Sequence, residues 1–260
     1  MSRLIIALIL FNGLAVYAQP VKYTTSNAHS HNDYEQPNPF WSAYNAGFGS
    51  IEADIFFVKG NEELLVAHTP AELLTKKRRL DSLYLIPLRD NIRKHHGHPY
   101  ADVSKKLQIL IDVKTTAVPT LDKFIETIRR YPELIKTPSL QFVISGGRPN
   151  PDSFPSYPSF ILFDGELDKT YSPQALTKIV MMSDYLKRYT LWNGIQKLPE
   201  ADSIKFKAAV DKAHALHKPV RFWDAPDNTD AWKVLMNFKV DFINTDKIAE
   251  LSVFLKNLPH

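Results

Sequence analysis

Short apolar runs that read as buried strands alternate with segments of helical period along almost the whole chain, and this alternation restricts the fold to a parallel α/β plan. Leu107-Gln-Ile-Leu-Ile-Asp-Val-Lys114 is the strongest strand pattern, and Ser50 to Val58 alternates, with Ile51, Ala53, Ile55 and Phe57 on one face and Glu52 and Asp54 on the other. Further strands are expected at Leu64 to His68, Leu140 to Ser145, Phe160 to Phe163, Val220 to Trp223 and Val240 to Asn244. Helices are expected over residues 120–131, 172–187, 203–218, 229–238 and 247–258. The Lys/Arg-rich stretch leading to His95-His-Gly-His98 reads as a surface excursion. Counted from the segment before His29, the strands number about eight, the count of a (β/α)8 TIM barrel, whose typical size is about 250 residues. No Gly-rich nucleotide turn follows any strand, which disfavours a doubly wound open sheet.

Residues 1–18 carry one early cation, Arg3, an apolar run from Leu4 to Phe11, and a Val16-Tyr-Ala18 ending, the pattern of a removable secretory signal peptide. Residues 19–260 are then expected to form a single secreted or periplasmic domain, with no later segment apolar and long enough to span a membrane. The chain has no Cys, so thiolate metal sites, disulfides and a cysteine nucleophile are excluded. Its formal charge of +4 suits an anionic substrate but is too mild to indicate nucleic acid.

The polar residues expected at strand ends carry the candidate chemistry. Glu52, Asp54 and Asp112, if held together in a dry site, repel one another unless a cation intervenes. Oxygen-only ligation favours a hard ion, Mg²⁺ or Ca²⁺. His29 and His68 follow different strand segments and are either an acid/base pair or satisfied core histidines. Ser145-Gly-Gly-Arg148 either cradles phosphate or merely turns, and Trp223 either lines a pocket or packs.

Asn27-Ala-His29, Ile51-Glu-Ala-Asp54, Val66-Ala-His68 and Ile111-Asp-Val-Lys114, followed by Val220-Arg-Phe-Trp223 and Val240-Asp-Phe-Ile-Asn-Thr-Asp246, occur in the order seen in one enzyme group. Together they resemble the glycerophosphodiester phosphodiesterase family, within the wider phosphatidylinositol-specific phospholipase C-like barrels, in a divergent bacterial branch. The resemblance implies that His29 and His68 are catalytic, that Glu52, Asp54 and Asp112 bind the metal, and that Lys114 sits beside the phosphate. It also implies a secreted metal-dependent phosphoric diester hydrolase of lipid metabolism, acting on small-molecule or lipid phosphodiesters. The family's His-Arg-Gly is replaced by His29-Ser-His-Asn-Asp33, so its phosphate-binding Arg is missing, with His31 or Asn32 the expected substitute contacts. An acidic residue expected after the second His is Thr69. These departures leave two alternatives, a barrel that binds phosphate ligands without turnover and, with less support, a glycoside hydrolase.

Overall fold

The computed structural model describes residues 20, 22–60 and 62–259. The expected signal peptide over residues 1–18 lies outside the described residues. Eight parallel strands form the barrel: β1 (Ala28–Ser30), β2 (Ser50–Phe56), β4 (Leu107–Val113), β5 (Leu140–Gly146), β6 (Ile161–Glu166), β7 (Ile179–Tyr185), β8 (Val220–Trp223) and β9 (Ile243–Thr245). A short strand, β3 (Leu65–Val66), pairs antiparallel with the end of β2, Ile55 opposite Val66, and so forms the hairpin expected there. The ring runs β1-β2-β4-β5-β6-β7-β8, and β9 returns to pair with β1. It is nearly closed, since β8 meets the segment before β9 through a single bridge between Arg221 and Phe242. The expected (β/α)8 TIM barrel is the observed fold.

Register explains how the barrel divides into layers. Leu110, Val143 and Met181 pack together inside it, with Leu162 and Phe242 against them. Two residues further along the same strands stand Asp112, Ser145, Ser183, Asp164 and Asn244, all lining one cavity. A period of two keeps these on the inner face, so an apolar plug below carries a polar floor above. The residues between them, such as Ile109, Ile111, Ile51 and Ile55, turn outward into the larger core beneath the helices. There α4 (Ala117–Arg129) buries Leu121, Phe124, Ile125 and Ile128, and α8 (Thr229–Asn237) buries Trp232 and Leu235. No helix among the described residues is long and apolar enough to cross a membrane.

Two segments differ from expectation. The helix expected over 172–187 is only the four-residue α6 (Pro173–Leu176), after which Ile179–Tyr185 is strand β7. A strand buried on both faces is a continuous apolar run, and Ile-Val-Met-Met lacks the alternation that separates strand from buried helix. The basic stretch before His95 is a surface excursion only in part: Lys76, Lys77 and His96 are exposed, but the segment contains α3 (Ile86–Lys94), and Leu80, Tyr84, Leu85, Leu88 and Ile92 are buried.

Candidate active site

A cavity of about 640 Å³ opens at the C-terminal ends of the barrel strands. Ser50, Glu52 and Asp54 share the inner face of β2, and the register sets Glu52 opposite Leu110 and Asp54 opposite Asp112 on β4. The two strands thus deliver three carboxylates to one place, and ligand atoms of Glu52, Asp54 and Asp112 lie within 4.8 Å of one another. Lys114 Nζ sits 3.0 Å from both Asp54 Oδ2 and Asp112 Oδ2. Burial, then the charges of Glu52 and Asp112, push the Asp54 carboxyl up to about 7, with Lys114 partly offsetting them.

The donor set fits a divalent cation. Asp54 is fully buried, and its Oδ1 has no hydrogen-bond partner, an expensive vacancy for an acceptor unless an ion satisfies it.

The three histidines of the region occupy different positions. His29 faces Ser50 in the register and is completely buried below the cavity. Its Nε2 lies 2.7 Å from Glu52 Oε2 and its Nδ1 2.7 Å from the Ser50 hydroxyl oxygen. Burial and the nearby Arg221 charge lower its pKa to about 4, so this ring is neutral at physiological pH. His31, two residues on, lines the cavity, and its Nδ1 lies 2.9 Å from Asp246 Oδ1. Burial opposes protonation of His31, but the Asp246 hydrogen bond and the Glu52 and Asp246 charges outweigh it and leave its pKa raised. His68 also lines the cavity, is 54% exposed, and places Nδ1 3.5 Å from Asp54 Oδ2 and 3.3 Å from the Tyr34 hydroxyl.

The N-terminal half matches the model of the AIM6-like phosphodiesterase domain over residues 20–133. Residues 219–249, carrying β8 and β9, match the glycerophosphoryl diester phosphodiesterase family. "Altered inheritance of mitochondria protein 6" of Kluyveromyces lactis is 26% identical, the match covering 88% of this chain and 72% of that protein. Its homolog in Arthroderma benhamiae is 28% identical over 85% of this chain and 81% of the relative. Among solved structures, a glycerophosphodiester phosphodiesterase from Parabacteroides distasonis superposes with a TM-score of 0.55 at 13% identity, covering 88% of this chain and 96% of the other. A Ca²⁺-dependent phosphatidylinositol-specific phospholipase C from Streptomyces antibioticus gives 0.59 at 14%, covering 90% and 98%. Both family models describe phosphodiesterase domains, and both solved structures share the barrel fold.

Within this phosphodiesterase-like barrel, the remaining residues singled out by sequence separate into those at the cavity and those beside it. Asn32 lines the cavity in a left-handed backbone conformation, φ 44°, with its side-chain amide 2.8 Å from the Tyr34 hydroxyl oxygen. Arg148 lines it too, but is ion-paired to Glu166 and donates to the Asp164 carbonyl. Trp223 stands on the rim, 40% exposed and stacked on Tyr185 at 4.3 Å. His95, His96 and His98 lie outside the cavity lining.

Two site residues escaped the sequence reading. Tyr34 donates to Asp54 Oδ2 at 2.7 Å, its hydroxyl kept protonated by burial and then by the Asp54 charge. Arg221, on β8, is buried between Glu52 and Asn244, with Nη1 3.1 Å from an oxygen of each. Its signal was present: an Arg in a strand of otherwise buried residues, two before the Trp, demands a buried carboxylate partner. Burial alone would raise the Glu52 pKa, but the Arg221 charge and the His29 hydrogen bond hold it well below the ordinary carboxylate range.

Proposed function

We propose that this chain cleaves phosphoric diesters, of glycerophosphodiester or phospholipid-headgroup type, in the barrel cavity. The observation that carries the reading is the convergence of Glu52, Asp54 and Asp112, with Lys114 between two of them, beside two cavity-lining imidazoles. The three carboxylates would hold Mg²⁺ or Ca²⁺, which when bound supplies positive charge for the phosphoryl oxygens. Lys114 adds a second positive charge at the same place.

The proton-transfer pair in this reading is His31 and His68, in place of the expected His29 and His68. His29 is sealed beneath Glu52 and held neutral, so it orients that carboxylate instead of meeting substrate. His68, open to the cavity, accepts the proton of the attacking hydroxyl, from water or from a neighbouring alcohol of the substrate. His31, whose pKa the Asp246 hydrogen bond raises, protonates the leaving alcohol. Asn32 and Trp223 border the same space and contact the phosphate and the alcohol moiety. The glycosidase alternative loses support, because Lys114 bridges Asp54 and Asp112 and removes the free acid such a pair requires.

The test is turnover of bis(p-nitrophenyl)phosphate and of glycerophosphodiesters with Ca²⁺, with Mg²⁺ and with EDTA. Turnover lost on chelation and in His31→Ala supports the mechanism; turnover that survives both removes it. The N-terminal segment carries the accompanying reading that the chain is exported, which the mass of the mature N-terminus in culture supernatant or periplasm checks.

A further inference from the structure

The first strand of this barrel brings no arginine or lysine to the cavity. Ser30 is buried and donates its hydroxyl to Asp33 at 2.8 Å, while Asn32 is held by Tyr34. The other arginine and lysine side chains at the cavity are paired to carboxylates: Arg148 to Glu166, Arg188 to Asp168 and Asp184, and Lys114 to Asp54 and Asp112.

Arg221 is paired too, to Glu52, but is the most deeply buried of the four. Its Nη1 is fixed by Glu52 Oε2 and Asn244 Oδ1, both at 3.1 Å, and lies 2.7 Å from His29 Nε2. Its Nε reaches Ser183 Oγ at 3.3 Å. Its Nη2 donates to no group among the described residues, and it is not among the sealed, unpaired buried atoms, although the residue is only 3% exposed and lines the cavity. Nη1 and Nε of the guanidinium are thus anchored and Nη2 is open.

We propose that Arg221 is the phosphate-recognising guanidinium of this site, donating through Nη2 to a non-bridging oxygen of the phosphodiester. It enters from the seventh barrel strand, replacing an Arg that the first strand lacks. Arg221 is ion-paired to Glu52, one of the three converging carboxylates, so its guanidinium stands beside the place where a cation and a phosphoryl oxygen would meet. Fixing Nη1 on Glu52 and Asn244 also sets the plane of the fork before the anion arrives, so little side-chain freedom is lost on binding. The proposal rests on the phosphodiesterase reading for the identity of the diester, but not for the binding of a phosphate anion.

The experiment titrates glycerol 3-phosphate into the unmodified protein, Arg221→Lys and Arg221→Met by calorimetry, with Ca²⁺ and with EDTA, and titrates Ca²⁺ alone in parallel. Losing a charge-assisted hydrogen bond predicts affinity for glycerol 3-phosphate about 10- to 100-fold weaker in both variants. Arg221→Lys, which keeps a cation beside Glu52, should lower melting temperature and Ca²⁺ affinity less than Arg221→Met, and its loss of Ca²⁺ affinity should be smaller than its loss of glycerol 3-phosphate affinity. Equal glycerol 3-phosphate affinity in folded Arg221→Lys and unmodified protein overturns the proposal. Should both variants fail to fold, a crystal structure of the unmodified protein with phosphate decides: an oxyanion within hydrogen-bond distance of Nη2 supports the assignment, and one held elsewhere defeats it. Protein that binds phosphate through Arg221 yet cleaves no diester refutes the function and leaves this inference standing. Turnover with KM unchanged in Arg221→Lys does the reverse.

Discussion

Gly146→Ala tests whether the carboxylate cluster is the working centre, because the structure states how far the change displaces it. Gly146 ends β5 with φ +65°, and a Cβ built there lies 1.8 Å from Asp112 Oδ1 and 2.8 Å from the Val113 carbonyl oxygen. Real Cβ contacts do not fall below 3.0 Å, so the Asp112 oxygen must retreat by about 1.2 Å, the difference between those two distances. The Val113 backbone cannot yield easily, since its carbonyl accepts from Gly147 at 2.8 Å, and the displacement therefore falls on the Asp112 side chain. A carboxylate moved by about 1 Å would no longer meet an ion held by Glu52 and Asp54, and misplacement of that size costs on the order of 100-fold in rate.

The left-handed backbone adds a separate cost of about 1 kcal/mol, or about 2–4 °C in melting temperature for a chain of this size. Gly97→Ala isolates that second cost, because Gly97 has φ +96° and nothing within 4 Å of its built Cβ. Calorimetric Ca²⁺ titration and diester turnover of the two variants form the assay. Both variants should lose a few degrees of stability, and only Gly146→Ala should lose metal affinity and rate. Gly146→Ala protein with unaltered Ca²⁺ affinity and turnover would show that Asp112 is not a ligand.

Asp246→Asn removes the partner that raises the His31 pKa, so protonated His31 should persist over a narrower range. The alkaline limb of kcat/KM against pH should move toward lower pH, and an unmoved limb would take His31 out of the acid role. His31→Ala should lower kcat about 10²- to 10⁴-fold with little change in melting, whereas His29→Ala should chiefly destabilise, by about 1–3 kcal/mol, by stripping Glu52 and Ser50 of a buried partner. Equal kcat losses for the two variants, with stability intact, would restore His29 to the catalytic role. Asp33 is buried and accepts from Ser30, the Phe40 amide and Tyr84, and burial raises its pKa to about 6 against its ordinary value near 4. The stability of the Asp33 acid form is therefore complete below about pH 4 and is lost as pH rises through about 6. Relative to the parent, Asp33→Asn should gain thermal stability between pH 5 and pH 8; a gap that widens toward acid would contradict that sign.

The acids of this site were legible because an acid every second residue in an apolar strand has one place to go, the inner face of the sheet. Glu52 and Asp54 on β2 and Asp112 on β4 needed only the strands to be parallel and adjacent, and the register supplied both. The histidines were harder. His29 and His31 lie on the same face of β1, and only the pairing of His29 with Ser50 lifts His31 to the cavity and leaves His29 beneath it. A one-layer choice of that kind depends on inter-strand register, which a single strand's alternation does not contain. Arg221 was hidden for a related reason: its partner Glu52 is 169 positions away in sequence, and curvature of the sheet, not local pattern, brings β8 across to β2. The same closure decides the chemistry. An apolar layer of Leu110, Val143 and Met181 leaves the charged groups above it little room to relax downward, so carboxylates, guanidinium and imidazoles must satisfy one another or a ligand at the cavity floor.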